Sequence, residues 1–283
     1  MSSATLVSRT DSPGIQPYAP HIGATVGPLD LSAPLTESQA GVLRQALARY
    51  QVLFFRGQQL TPACQVELAR LFGHPDRAKA YFPLSAEQDL VELIESRPGG
   101  PRYTTEQWHS DVSYLAAPPA GAVLYARVLP PCGGDTLWSS GVAVFESLPG
   151  GLARDIEGLN AIHSIEKSAW GRILRAGPGG EARYLQIMAD HPPRQHPLVM
   201  THPLTGRKFV FANPKYTTAI DGLSRQDSED LLQLLFARFE RPEFQARLRW
   251  ETGTLAVWDN LATQHAAVAD YSPARRLMHR VTF

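Results

Sequence analysis

The sequence predicts a mainly β protein with flanking helices, built on a double-stranded β-helix (jelly roll, cupin-like) core. Three observations carry that prediction. Short β-rich runs separated by turn clusters fill the chain from Gly121 to Gly253, helical patterns are few, and strands do not alternate with helices as they would in a parallel βαβ sheet. With 283 residues, 43% of them apolar, the chain can bury a sizeable core. All-β units commonly reach nearly this length as one domain.

Residues 1–20 read as a loose N-terminal arm, and 21–283 as a single domain. Thr36 followed by Gln39 resembles a capping box, and Leu43, Ala46 and Leu47 continue it at helical spacing, so a helix is expected over about 36–50. Gln51 to Phe55 reads as a buried strand ended by Gly57. A second helix starts with Thr61 as N-cap and Pro62 in its first turn, and stops at Gly73. Val123 to Val128, Leu198 to Thr201 and Phe209 to Phe211 are the clearest central strands. A long helix with Ser224 as N-cap carries the stripe Leu231, Leu232, Leu235, Phe236 and Phe239. Leu255 to Trp258 and Leu277 to Phe283 supply the last strands. Residues 167–195 lack a sustained period and read as a long loop of the kind that forms lids.

Lys plus Arg and Asp plus Glu balance at 27 each, so no global field draws the chain to nucleic acid or to an anionic membrane. A small-molecule partner is favoured. Cys64 and Cys132 are the only cysteines and make no disulfide framework, and neither a signal segment nor a long apolar run is present, which points to the cytoplasm.

His109 and Asp111 flank Ser110, and on an extended segment alternate side chains share one side, so both can reach one ion. Two histidines and a carboxylate with open positions form the ligand set of non-haem Fe(II) oxygenases. A second His-x-Asp, His74-Pro75-Asp76, follows a helix stop and reads as a turn. His265, after the strand ending at Trp258, stands where a third ligand is plausible, although a structural histidine fits the same position. His279 lies on the strand face opposite the arginines and reads as structural. Arg276 and Arg280 share one strand face about 13 Å apart at roughly 3.3 Å per residue, which suits two separate anions. Their apolar company argues for burial, and a buried arginine needs a carboxylate-like partner. Thr136, after the turn Gly133-Gly134, could add a hydroxyl to a bound anion.

The ordered set Trp108-His109-Ser110-Asp111-Val112, Gly133-Gly134-Asp135-Thr136-Leu137-Trp138, Thr201-His202-Pro203, Trp258-Asp259-Asn260 with Gln264-His265, and Arg275 to Val281 resembles the taurine dioxygenase family of Fe(II)/2-oxoglutarate-dependent dioxygenases. The resemblance runs from about residue 25 to the C-terminus. It implies that His109, Asp111 and His265 bind Fe(II), that Arg276 and Thr136 hold 2-oxoglutarate, and that O2 and 2-oxoglutarate are consumed to give succinate, CO2 and a hydroxylated product. It further implies an anionic substrate held by Arg280, with Tyr81, Thr105, Val112, Ser168 and Tyr216 at pocket positions, and a homo-oligomer, dimer or tetramer.

The chain departs from the taurine enzymes in three places. A pocket histidine falls at Ala78, an amine-contacting asparagine at Thr105 and an aromatic at Ala169, unless a gap brings His74 into the pocket and Trp170 replaces the missing ring. Loss of hydrogen-bonding groups changes which substrate is accepted. The expected substrate is therefore a larger or more apolar sulfonate or an alkyl sulfate, cleaved after hydroxylation to an aldehyde and sulfite or sulfate. A carboxylate, phosphonate or amino-acid-like substrate is the alternative, and a zinc hydrolase or a non-catalytic jelly-roll binding module are more distant ones.

Overall fold

The computed structural model describes residues 13–76, 82–99, 105–177 and 179–283, and the side chains at 170, 172 and 174 fall outside that description. The described chain begins with the antiparallel pair β1 (Gly14–Pro17) and β2 (Ala24–Gly27). Of the loose arm expected over residues 1–20, residues 1–12 lie outside the described residues, and from Gly14 the expectation is corrected, because the backbone there is paired in the sheet. Gly-Ile-Gln-Pro carries no alternation, and the strand is held by main-chain bonds at a sheet edge rather than by buried side chains.

Next come α1 (Glu37–Tyr50), β3 (Val52–Phe55) and α2 (Pro62–Arg70). The capping box of Thr36 and Gln39 is present, and the Thr61 hydroxyl accepts from the Cys64 amide. The middle of the chain forms β4 (Glu92–Ser96), β5 (Gly121–Val128), β6 (Thr136–Ser140), α3 (Gly141–Glu146), α4 (Gly150–Ile156) and β7 (Asn160–His163). It continues through α5 (Trp170–Arg175), α6 (Gly180–Asp190), β8 (Arg194–Pro197), β9 (Val199–Thr201), β10 (Lys208–Val210) and β11 (Thr217–Ile220). The last elements are α7 (Arg225–Phe239), β12 (Gln245–Leu248), β13 (Leu255–Asp259), β14 (Thr263–Ala267) and β15 (Arg276–Thr282).

One large sheet runs in the order β1-β2-β3-β13-β5-β15-β4, antiparallel except where β2 meets β3. The sheet β12-β6-β14 faces it. Strand β3 explains why Val-Leu-Phe-Phe shows no alternation: both of its faces are covered. Val52 and Phe54 pack with Leu124, Ala256, Trp258 and Met278 against Trp138, Ala246 and Leu248 of the facing sheet. Leu53 and Phe55 pack on the other side against Leu43, Leu47, Val66 and Ala69 of α1 and α2. Full burial of each of these β3 side chains contributes roughly 1.5–3 kcal/mol. Two sheets face to face with helices outside one of them are the arrangement the sequence predicts. The α7 stripe, with Leu232, Leu235 and Phe239, covers a separate cluster with Val144, Ile156, Leu198 and Val210.

The expected lid loop over 167–195 is corrected as well: α5 and α6 occupy most of it. Only Gly180 and Tyr184 of α6 are buried, so no apolar stripe announces the helix. Its anchor is the Tyr184 ring, packed under the Arg175 guanidinium at 3.7 Å and against Gly171, with Arg175 paired to Glu181 at 2.9 Å. Ile187 and Met188 rest on the cluster of Tyr114, Ile165 and Tyr216, so α6 braces the wall that carries Tyr216 and Val112.

His163 at the end of β7 is fully buried, stacked on Phe211 at 5.2 Å, with Nδ1 2.9 Å from the Ser113 hydroxyl. Burial, reinforced by neighbouring His196, lowers its pKa to about 3. The unfolded chain therefore takes up this proton first, so the contribution of neutral His163 is complete above about pH 6.5 and is lost as pH falls toward 3. Urea midpoints measured from pH 7.5 to 4.5 should fall for the wild type, and less steeply for His163→Gln. An equal slope for both would reject this assignment.

Candidate active site

His265 lies on β14 and His109 on the segment that leads toward β5, and the two are tied to each other through the main chain. The amide of His109 donates to the carbonyl of His265 at 3.0 Å and the amide of His265 donates back at 2.7 Å. This reciprocal pair sets the imidazoles side by side, with ring centroids 4.3 Å apart. Asn260 holds Asp111 by both of its peptide groups. Its Oδ1 accepts from the Asp111 amide at 2.6 Å, while Nδ2 donates to the carbonyls of Asp111 and Pro119, each at 3.0 Å. The backbone then turns left-handed at Val112, with φ 44°. That conformation is strained for a β-branched residue.

Asp111 Oδ1 stands 3.6 Å from His109 Nε2 and 3.8 Å from His265 Nε2. Among the described residues these three form the cluster able to hold a metal ion, their ligand atoms lying within 4.8 Å of one another. His109 Nδ1 is 2.7 Å from the Gln107 carbonyl, which can only accept, so Nδ1 carries the hydrogen and Nε2 presents its lone pair toward Asp111. Burial lowers the pKa of His109 well below the usual histidine value and that of His265 to about 4, so both rings are neutral. Burial alone would raise Asp111, but the Arg280 guanidinium overrides it and keeps the carboxylate ionised. Neutral imidazoles and an ionised carboxylate are the protonation states a divalent ion requires.

The cavity beside this cluster is lined by both histidines, Asp111, Thr136, Arg276 and Arg280, and by the expected Thr105, Val112 and Tyr216. Phe82, Ile94, Leu124 and Trp258 add apolar surface. Arg276 is buried and its Nε has no hydrogen-bond partner, while Tyr271 packs beside the guanidinium at 5.8 Å. Gly134, with φ +76°, closes the turn against it, and a Cβ there would lie 3.2 Å from Arg276 Nε. Thr136 Oγ1 accepts from Trp250 Nε1 at 3.0 Å, so its own hydroxyl hydrogen is left to donate.

Arg280 is engaged by the protein itself: Nε donates to Glu92 at 2.7 Å and Nη1 to Asp111 at 3.0 Å. Both carboxylates raise its pKa against the opposing effect of burial.

The structure does not bring every expected residue to the cavity. Ser168 is buried, and its hydroxyl donates to the Ile165 carbonyl at 2.7 Å, closing a short 3-10 turn away from the cavity wall. Ala169 does not line the cavity, and His74 is exposed after α2. Tyr81, Ala78 and the Trp170 side chain lie outside the described residues. His279 points to Gln65, with Nδ1 and Nε2 3.4 Å apart, as the strand alternation predicts.

Sequence reasoning missed Asn260 as the clamp on Asp111, Glu92 as the partner of Arg280, and Lys215, a cavity-lining residue that is 3% exposed. Asn260 lies within the Trp-Asp-Asn motif. Glu92 becomes visible only when β4 is paired with β15, which sets it directly opposite Arg280.

The family profile described as "Taurine catabolism dioxygenase TauD, TfdA family" matches residues 14–282. The chain belongs to this family. It is an α-ketoglutarate-dependent dioxygenase, an enzyme class that works with Fe(II), 2-oxoglutarate and O2. An alkylsulfatase of Acinetobacter baylyi is 33% identical over 263 residues, which are 92% of this chain and 81% of the relative. An α-ketoglutarate-dependent sulfate ester dioxygenase of Pseudomonas putida is 32% identical over 270 residues, covering 95% and 88%. A taurine dioxygenase structure from Burkholderia xenovorans superposes with a TM-score of 0.80 at 31% identity, over 96% of this dioxygenase and 89% of that chain. The jelly-roll core expected from the sequence is the fold of these proteins.

Proposed function

We propose that this dioxygenase hydroxylates the carbon next to the head group of a small alkyl sulfate or sulfonate, releasing an aldehyde with sulfate or sulfite. The observation that carries the reading is one cavity that combines a His-Asp-His cluster, two buried arginines and an apolar wall of Phe82, Ile94, Val112, Leu124 and Tyr216. The sulfate ester and alkylsulfatase activities of the relatives support it.

In this reading His109, Asp111 and His265 hold Fe(II) as three of its ligands and leave positions open. Fe(II) bound there couples decarboxylation of 2-oxoglutarate by O2 to hydroxylation of the substrate. Arg276 takes the far carboxylate of 2-oxoglutarate, satisfying the orphaned Nε, and the Thr136 hydroxyl donates to the same carboxylate. Arg280, held by Glu92, anchors Asp111 and faces the substrate head group. Thr105 and Tyr216 stand on the wall where the substrate body lies, and the aromatic and aliphatic lining excludes water from it.

Aerobic incubation with Fe(II), ascorbate and 2-oxoglutarate tests the reading against taurine, alkyl sulfonates, alkyl sulfates, phenoxyacetates and phosphonates. Succinate should rise with an alkyl sulfate or sulfonate and match released sulfate or sulfite mole for mole. Succinate matched instead to a phenol, or to an α-hydroxyphosphonate or phosphite, would replace the substrate class. Asn260→Ala, which frees the Asp111 backbone, should weaken Fe(II) binding about 10–100-fold. Anaerobic Fe(II) titration reads this directly, and an unchanged affinity would show that the clamp does not orient the ligand.

A cytoplasmic location is part of the same proposal; no described helix is long and apolar enough to cross a membrane. So is a dimer or tetramer, which light scattering checks.

A further inference from the structure

Three cations line the cavity among the described residues: Lys215, Arg276 and Arg280. They differ in what already engages each of them. Arg280 is shared between two protein carboxylates, Glu92 at 2.7 Å and Asp111 at 3.0 Å, so its charge is more than balanced before any substrate arrives. Arg276 lies beside Thr136 and Tyr271, on the part of the cavity assigned to 2-oxoglutarate.

Lys215 comes from the turn Asn213-Pro214-Lys215 that precedes β11, and it is 3% exposed. Its backbone is fixed by its neighbours. The Asn213 side chain accepts from the Tyr216 amide at 2.9 Å and donates to the Ser113 hydroxyl at 2.9 Å, and the Thr217 amide donates to the Asn213 carbonyl at 3.0 Å. The ammonium stands 5.4 Å from the Tyr216 ring centre, on the same wall. Asp111 is the foremost attractive charge acting on it, with the exposed Glu106 contributing less.

The charges of the loaded site follow from these residues. Asp111 and Glu92 offset two of the three cations, and the two negative charges of 2-oxoglutarate offset Fe(II). Among the described residues one positive charge then remains, and removing Lys215 removes it. A sulfate monoester or a sulfonate brings one negative charge. A phosphate monoester or phosphonate brings nearly two, and an aminoalkanesulfonate brings an ammonium that must share a water-poor cavity with a second ammonium. Like charges in such a cavity repel far more than they do in water.

We propose that Lys215 selects the head group in this dioxygenase: its buried ammonium admits a singly charged organosulfur anion and turns away substrates that carry an ammonium of their own. The proposal rests on the organosulfur reading above and deepens it. Burial pushes the lysine down to about 8, against the raising pull of the Asp111 carboxylate.

Propane-1-sulfonate and taurine test the proposal as a matched pair, having the same number of non-hydrogen atoms and differing by a methyl against an ammonium. Calorimetric titration of each into anaerobic enzyme loaded with Fe(II) and 2-oxoglutarate reads binding without turnover. Wild-type enzyme should bind propane-1-sulfonate at least tenfold more tightly than taurine. Lys215→Met should weaken propane-1-sulfonate at least tenfold and bring the two affinities within about threefold of each other, whereas Lys215→Arg keeps the preference. Melting curves establish that each variant is folded. Should Lys215→Met not fold, Lys215→Gln and the wild-type ratio decide. Equal wild-type affinities, or a ratio unchanged in a folded Lys215→Met, would overturn the role of Lys215 and leave the organosulfur reading standing. Wild-type enzyme that binds neither propane-1-sulfonate nor hexyl sulfate would overturn both.

Discussion

Arg280→Met should melt roughly 10 °C below the wild-type protein. The substitution leaves Glu92 and Asp111, 1% and 6% exposed, without the cation that joins them. Removing one partner of a buried ion pair costs about 3–5 kcal/mol, because the remaining charge is left uncompensated. A change of that size moves the midpoint of a chain this long by roughly 2–4 °C per kcal/mol. Glu92→Gln in the Arg280→Met background should recover much of the loss, since it removes one of the two stranded charges. This non-additivity separates an electrostatic cause from lost packing of the arginine stem. Thermal melts of the two single variants and the double variant decide the matter, and strictly additive shifts would reject it.

Asp111→Ala should abolish turnover, with succinate formation down by more than about a thousandfold and Fe(II) affinity lost in parallel. Three converging donors are the least that the proposed centre uses, and the carboxylate is the charged one among them. The fold should survive, because Arg280 keeps Glu92 and Asn260 keeps the backbone of residue 111 in place. Anaerobic Fe(II) titration with a far-ultraviolet spectrum separates loss of metal from loss of structure. Retained iron affinity in a folded Asp111→Ala protein would remove the residue from the centre.

These expectations draw on features of unequal visibility in the sequence. Thr36 with Gln39, Thr61 with Pro62, and Ser224 announced their helices because caps are local chemistry, decided within four residues. The unalternating run Val52 to Phe55 was legible as a buried strand for the same reason. Helix α6 was not, because Tyr184 is its one large buried side chain and Ile187 and Met188 are only partly covered. Strand β1 was missed because its pairing with β2 owes little to its own side chains. In the site, His109, Asp111, His265, Arg276 and Arg280 were readable from residue type and order. Glu92 and Lys215 were not, since their meaning depends on which strands and turns become neighbours. A glutamate within Val-Glu-Leu-Ile-Glu and a lysine between proline and tyrosine look like ordinary solvated charges until the fold buries them.

The reciprocal main-chain bond between His109 and His265 joins segments more than half the chain apart. The proposed metal ligands therefore act as a clasp across the seam between the 109–111 segment and β14, the edge strand of the smaller sheet, and whatever opens that seam separates them. Amide hydrogens at the two positions should exchange as slowly as those of the most protected strands, and slower still with the ion bound. Losing the ion and loosening the fold would then be one event seen by two methods, and mild heat should inactivate the enzyme by opening this seam before the helices on the far side of the large sheet are disturbed.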